Sequence, residues 1–552
     1  MKLKHLAIAL LAIISLSASA QTKKTTVAAA TSVARPKLVV GIVVDQMRWD
    51  YLYRYYDRYQ ATGFKRLLNE GFSCENTNLD YIPAVTAAGH TCIYTGSVPS
   101  IHGIAGNDFI IQATGKSMYC TEDSTVKTVG STSVAGQMSP RNLLTTTVTD
   151  ELRLATNFRS KVIGIALKDR GGILPAGHSA NAAYWFDDAT GNWITSTYYM
   201  NDLPAWVKTF NAQKNAEKYL KQDWNTLYPI NSYLQSTEDN SPRYEASPKG
   251  ADAPTMPVKT SAMFVKDYSA IRSTPYGNSI TLDMAKSAIE NENLGKNTVT
   301  DFLALSLSST DYVGHQYGIN AVETEDTYLR LDRDLSAFLT YLDNAVGKGN
   351  YTVFLTADHG AAHNPTFLTD RNVPAGVWAP ASILKELNTQ LEAKYGIKKT
   401  VLSFSNYQVS LNNVAIADKK ASEYAIKQDC IEFLKKQLGV EYAVDMQNTN
   451  NTSIPEALRL RIVNGYNADR SGCIQIILKP GWFSEHGATG TTHGTWNPYD
   501  THIPLVFMGW GIPHGHTNTS IHMTDIAPTI AALLHIQAPN GSIGLPIVEV
   551  VK

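Results

Sequence analysis

Residues 37–45 read Lys-Leu-Val-Val-Gly-Ile-Val-Val-Asp, an almost unbroken apolar run that ends in a carboxylate. A strand with one wet face would alternate; a run this uniform suits a strand buried on both faces, as in parallel sheets covered by helices. The construction recurs. The apolar run 299–308 leads into Ser309-Thr-Asp-Tyr-Val-Gly-His315, Tyr351–Thr356 leads into Ala357-Asp-His-Gly360, and Lys161–Leu167 leads into Lys168-Asp-Arg-Gly-Gly172. Another strand reaches Thr77-Asn78. Between the runs, helices are expected at Trp49–Tyr53, Phe64–Glu70, Thr86–Tyr94 (stopped by Gly96), Leu144–Thr156, Ser279–Glu292 and Glu323–Val346. The strand Ile503–Met508 and the helix Thr524–Leu534 are expected to close the sheet. This alternation predicts an α/β fold with a largely parallel central sheet and helices on both faces.

Two blocks break the rhythm and read as cap or insertion segments. Residues of about 190–279 are rich in Tyr, Trp, Asn and Pro with weak periodicity, and are expected to fold over the crevice and set specificity. Residues of about 365–484 contain a strand–helix–strand unit around Ser422–Leu438 and could form a subdomain. At the N-terminus, a basic start (Met1–His5), an apolar stretch (Leu6–Leu16) and Ala18-Ser19-Ala20 form a signal peptide over residues 1–20. A flexible leader, 21–36, follows, and then a catalytic domain over 37–552. Export to the periplasm or beyond is the expectation, with no membrane anchor.

Composition is that of an ordinary folded protein, 43% hydrophobic and 18% charged. The formal net charge of −1, without a basic block, argues against nucleic acid as a partner. Cys74, Cys92, Cys120, Cys430 and Cys473 are odd in number and contain no CxxC pair, which argues against a cysteine zinc site. They read as bridges or as small buried apolar residues.

Three Asp and three His carry the chemistry: Asp45, Asp311, His315, Asp358, His359 and His493. Taken singly, each has an ordinary explanation, a helix cap at Asp45 or a surface pair at Asp311 and His315. All six nonetheless fall at strand or loop ends, where an α/β sheet opens its crevice. Oxygen and imidazole ligands without thiolate suit two Zn²⁺ or a similar borderline metal. Two such ions about 4 Å apart are a device for in-line phosphoryl transfer. Asp358 and His359 are adjacent and can address one ion, with Gly360 allowing a tight turn. His493 lies between Gly490 and Gly494 in a Thr-rich loop.

Thr86 begins a helix after Pro83-Ala84-Val85, as a cap or as a hydroxyl placed where the helix dipole favours phosphate. A threonine hydroxyl is a poor nucleophile until a metal lowers its pKa. Lys168 and Arg170 could be a solvated turn, or could bind phosphoryl oxygens as a point charge and a fork. Asn107, within Gly106-Asn107-Asp108, is a turn residue or a further donor.

These segments together resemble the alkaline phosphatase superfamily, and within it the monomeric, phosphate-irrepressible periplasmic enzymes with a threonine nucleophile. The resemblance covers most of the chain and shows no departure at these positions. It implies one Zn²⁺ at Asp45, Asp358 and His359 and another at Asp311, His315 and His493. It also implies a phosphoenzyme at Thr86, a zinc ligand as well as nucleophile, and phosphoryl contacts from Asn107, Lys168 and Arg170. The expected function is hydrolysis of small phosphate monoesters by a monomer. A phosphodiesterase on the same scaffold and a catalytically inert, metal-stabilised binding module are the alternatives. His363 and His486 are left as structural residues.

Overall fold

The computed structural model of the chain describes residues 33–263, 267–484 and 489–551. The expected signal peptide, the leader up to residue 32 and His486 lie outside the described residues.

One large sheet organises everything from Pro36 onward. Its strands are β1 (Leu38–Val44), β2 (Phe72–Cys74), β3 (Thr128–Val129), β4 (Val162–Ala166), β5 (Ala182–Asp187), β6 (Asn192–Ser196), β7 (Asp301–Leu307), β8 (Tyr351–Thr356), β9 (Leu505–Gly509) and β10 (Gly515–Thr517). Their spatial order is β10-β2-β9-β8-β1-β7-β4-β5-β6-β3. The five strands from β8 to β5 are parallel, and the flanks add antiparallel neighbours. Every residue of β1, β4, β7 and β8 is buried, as the continuous apolar runs demand.

Register makes this sheet a platform for a site. Leu38 pairs with both Asp301 and Tyr351, so β1, β7 and β8 start together and also finish together. The residues that follow them therefore emerge at one carboxyl edge. Two helices start at that edge directly after strands, α2 (Asp169–Ala176) after β4 and α3 (Ser309–Tyr317) after β7; α1 (Thr86–Thr95) packs against α2, and α4 (Val322–Leu342) against α3. Gly96, at φ 62°, stops α1 in the left-handed region that favours glycine.

Some expectations shift. The helix expected from Leu144 begins only at Val148, because the Thr147 hydroxyl accepts from the Asp150 N–H while Asp150 accepts in return from the Thr147 N–H. The helix expected to run to Val346 leaves the α conformation after Leu342 and finishes as a π turn over Asp343–Gly347. The segment Ile503–Met508 does not close the sheet: β9 lies inside it, with β2 and β10 beyond. Asn192–Ser196, at the start of the first irregular block, is a sheet strand whose Trp193, Ile194 and Thr195 are buried.

Between β8 and β9 the chain builds a second, four-stranded sheet in the order Val401–Ser403, Gln408–Leu411, Ile474–Leu478, Val440–Asp445. Helices Pro380–Tyr395 and Glu423–Leu434 pack on it through Leu387, Leu391, Ile426 and Leu434. All five cysteines are unpaired, and four are buried as small apolar side chains. Among the described residues no helix is long and apolar enough to cross a membrane.

Candidate active site

Asp45 follows β1, Asp358 and His359 follow β8, and all three side chains are fully buried. His359 Nε2 lies 3.7 Å from Asp45 Oδ1 and 3.4 Å from Asp358 Oδ2. One helical turn of α3 brings Asp311 and His315 together, with His315 Nε2 3.1 Å from Asp311 Oδ1. The loop 490–494 delivers His493, whose Nε2 is 3.7 Å from the same oxygen. Each trio is compact enough for a single cation, every ligand atom lying within 4.8 Å of its companions. The trios also touch: the rings of His359 and His493 stack at 3.6 Å between centroids.

The histidines are aimed. In each, Nδ1 donates to a backbone carbonyl: Thr491 O for His315 (2.9 Å), Gly360 O for His359 (2.9 Å) and Ala84 O for His493 (2.7 Å). A carbonyl can only accept, so Nδ1 carries a proton in each, and in the neutral form of the ring the Nε2 lone pair points inward. Burial and the neighbouring His359 and His315 rings hold His493 well below the usual histidine range, and burial lowers His359. His315 is instead drawn upward, where Asp311 outweighs its burial.

Thr86 is the first residue of α1, with Val85 in the capping position, and it is 1% exposed. It is therefore not the cap that its sequence context permits. Gly89 lets α1 come this close, since a Cβ there would sit 2.4 Å from the Asp358 carbonyl oxygen. Gly360 acts likewise by close approach, not by a left-handed turn: a Cβ there would meet Tyr499 O at 2.2 Å. Lys168 Nζ donates to Asp45 Oδ2 (2.7 Å), to Asp311 Oδ2 (2.6 Å) and to Thr86 Oγ1 (3.4 Å). Burial opposes its charge, but Asp311 and Asp45 outweigh that and raise it above the ordinary lysine range. Burial and the adjacent Asp358 push Asp45 well upward, whereas His359 and His90 overcome burial and pull Asp358 down.

Asn107 Oδ1 accepts from the Ala87 N–H (2.9 Å), which leaves the amide NH₂ as its donor end beside the start of α1. Arg170 Nη1 donates to the Tyr119 hydroxyl (2.9 Å), and that hydroxyl donates to Asp169 Oδ1 (2.9 Å). Tyr119 escaped sequence reasoning, as did two other residues. His90, one turn after Thr86, lies 3.2 Å from Asp358 Oδ2 and 2.8 Å from Ser306 Oγ. Gln46, at φ 65°, donates its N–H to Asp358 Oδ1 (3.1 Å) and its side-chain amide to Asp311 Oδ1 (2.6 Å). The i,i+4 spacing of Thr86 and His90 was a legible signal; nothing in the sequence marks Gln46. His363 takes no place in either trio and meets Asn320 Nδ2 at 3.0 Å.

A cation fits this donor set. Asp45 Oδ1, Asp358 Oδ2 and His359 Nε2, one atom from each member of the first trio, are buried without a hydrogen-bond partner. Three converging acceptors in that state need positive charge between them. In front of the second trio opens a cleft of about 570 Å³, lined by His315, His493 and Asn107 together with Trp378, Leu402 and Tyr407. Its described wall comes from the block after β8. The described part of the aromatic stretch 190–279 contributes none of it; that stretch meets α3 and the His493 loop instead, where the Ala246 N–H donates to Gln316 O and the Gly490 N–H to Tyr244 O.

Relatives of the chain carry matching architecture. A protein 59% identical over 530 residues, in Myroides odoratus, bears the name calcium-transporting ATPase; 95% of this chain and 96% of that one are covered. Alkaline phosphatase PhoV of Synechococcus elongatus is 54% identical over the full length of both. The crystal structure of alkaline phosphatase PafA superposes with a TM-score of 0.93 at 52% identity, covering 94% of this chain and all of that one. Residues 39–502 match the family model described as type I phosphodiesterase / nucleotide pyrophosphatase. With its two Asp/His trios at the carboxyl edge of a shared sheet, the chain belongs to that family, within the alkaline phosphatase superfamily.

Proposed function

We propose that the chain is an exported, monomeric alkaline phosphatase that hydrolyses phosphate monoesters through a phosphothreonine at Thr86. One observation carries the reading: a buried threonine hydroxyl, at the start of a helix, held by a lysine that also bonds one carboxylate of each trio. A structural metal site has no use for that hydroxyl. The names of PhoV and PafA, both alkaline phosphatases spanning nearly the whole chain, support it.

Asp45, Asp358 and His359 would hold one Zn²⁺, and Asp311, His315 and His493 the other. When bound, the ions lower the pKa of nearby hydroxyls and water and offset developing negative charge. Thr86 Oγ, which would also ligate the first ion, gives up its proton and forms the new bond to phosphorus as the ester P–O bond breaks, and the departing alcohol takes up a proton. Lys168, 3.4 Å from Thr86 Oγ1, is within reach of the phosphoryl group that Thr86 acquires. Arg170 and the Asn107 NH₂ group supply further donors to its oxygens, so that charge is stabilised by groups already in place. Water then cleaves the phosphothreonine ester, releasing phosphate and restoring the hydroxyl.

Thr86→Ala tests this. Turnover of a phosphate monoester should fall on the order of 10⁴-fold or more, and ³²P labelling of the protein should vanish, while zinc stays near two per chain. Unchanged turnover would remove Thr86 as nucleophile. A kcat/KM higher on the matching diester than on the monoester would transfer the protein to the phosphodiesterases.

A further inference from the structure

The cleft before the second trio is built in a way that the reaction at phosphorus does not require. Its catalytic side touches His315, His493 and Asn107 but neither Asp45, Asp358 nor His359. An ester with its phosphorus beside Thr86 would meet this cleft past the second trio, its alcohol half outward. The block after β8 lines the cleft with Leu384, Leu402 and Tyr407, interleaved with the small polar residues Ser403, Ser405 and Asn406. Leu384, Leu402 and Tyr407 are partly exposed to the cleft, and the buried rings of Trp378 and Phe404 stand behind them, 5.7 Å apart. The Trp378 and Tyr407 rings are 5.9 Å apart.

Tyr407 is held there against its backbone preference. Asn406 and Tyr407 both adopt left-handed conformations, φ 60° and 55°, a state that non-glycine residues keep only when their surroundings impose it. The surroundings are visible. Asn406 Nδ2 donates to Asp108 O (3.0 Å), Gln475 Nε2 donates to Tyr407 O (3.0 Å), and the Tyr407 hydroxyl accepts from the Ser484 N–H (3.2 Å). The ring lies against Gly494, next to His493: a Cβ on that glycine would be 3.2 Å from Tyr407 Cε2. Among the described lining residues there is no Lys or Arg, and Asp108 adds negative charge.

We infer that this cleft receives the alcohol half of the phosphate ester, and that it selects alcohols bearing a flat apolar ring over small or anionic ones. The inference rests on the phosphatase reading above. A ring entering the cleft loses water where it lies against Leu384, Leu402 and Tyr407, whereas a methyl group leaves those side chains wet. A polyphosphate tail would meet Asp108 and no described cation.

Phosphonates test this without the difference in leaving-group reactivity between aryl and alkyl esters. On the zinc-loaded protein, with phenyl phosphate as substrate, phenylphosphonate should inhibit about tenfold or more tightly than methylphosphonate. Tyr407→Ala and, separately, Leu384→Ala should each reduce that ratio several-fold; Leu384 lies outside the strained turn and guards against a folding artefact. Turnover of phenyl phosphate with equal inhibition by the two phosphonates overturns the cleft assignment alone. Ratios unchanged in both variants also overturn it. No turnover of any monoester removes the phosphatase reading and the cleft assignment with it.

Discussion

Tyr119 stands between Arg170 and Asp169, accepting from the first and donating to the second. The guanidinium's direction thus depends on one phenolic oxygen. Tyr119→Phe should lower kcat/KM for a monoester by about tenfold, the worth of one charge-assisted hydrogen bond. Arg170→Ala should then cost less in the Tyr119→Phe background than alone, because the two act as a unit. Equal costs would show that Arg170 does not rely on Tyr119. Such dependence is invisible in sequence: Tyr119 lies 51 positions from Arg170, at the end of the hairpin strand Lys116–Tyr119, whose residues give no hint of its partner. The ligands were legible for the opposite reason. Each sits just after an apolar run, on the helix that such a run leads into, or within a Gly-bounded loop, so position along the chain announced position in space. Gln46 shows where that logic stops, since its role depends on a left-handed backbone at a non-glycine residue.

At the scale of elements, the apolar runs decided β1, β4, β7 and β8, because complete burial leaves no competing pattern. Ends were less legible, and local side-chain chemistry set them, as with the Thr147–Asp150 capping box. The short helix Pro99–His102 after α1 carries a titration that can be measured. His102 is fully buried, its Nδ1 accepts from the Ile104 N–H, and burial, aided by Arg470, lowers it from 6.5 to about 3. Between those values the unfolded chain binds a proton that the folded chain refuses. The folded state therefore loses stability as pH falls below 6.5, by about 2 kcal/mol from His102 alone between pH 7 and 5. Thermal unfolding measured across that range should fall less steeply in His102→Gln than in the parent. Equal slopes would mean that His102 charges without unfolding.

Over the whole molecule, three carboxylates and three histidines are gathered at one edge of the sheet, and three of their atoms lack hydrogen-bond partners. Cations bound there would stabilise the fold by mass action, about 4 kcal/mol at a thousandfold excess over Kd. Stripping the zinc-loaded protein with EDTA should lower its Tm by several degrees, and Asp45→Asn should blunt that response. A Tm indifferent to the chelator would show that the sheet edge is stable without metal. Composition and periodicity conveyed the two irregular blocks but not which one faces the cleft, a matter of three-dimensional return that no local pattern encodes. The arrangement has an evolutionary corollary. Most of the cleft lining that is not catalytic comes from one contiguous excursion of the chain, Trp378 to Tyr407, set between the ligand pair Asp358–His359 and the loop of His493. Lineages could therefore recombine or remodel that excursion to change diet, while the inherited machinery for breaking the ester stayed under separate selection.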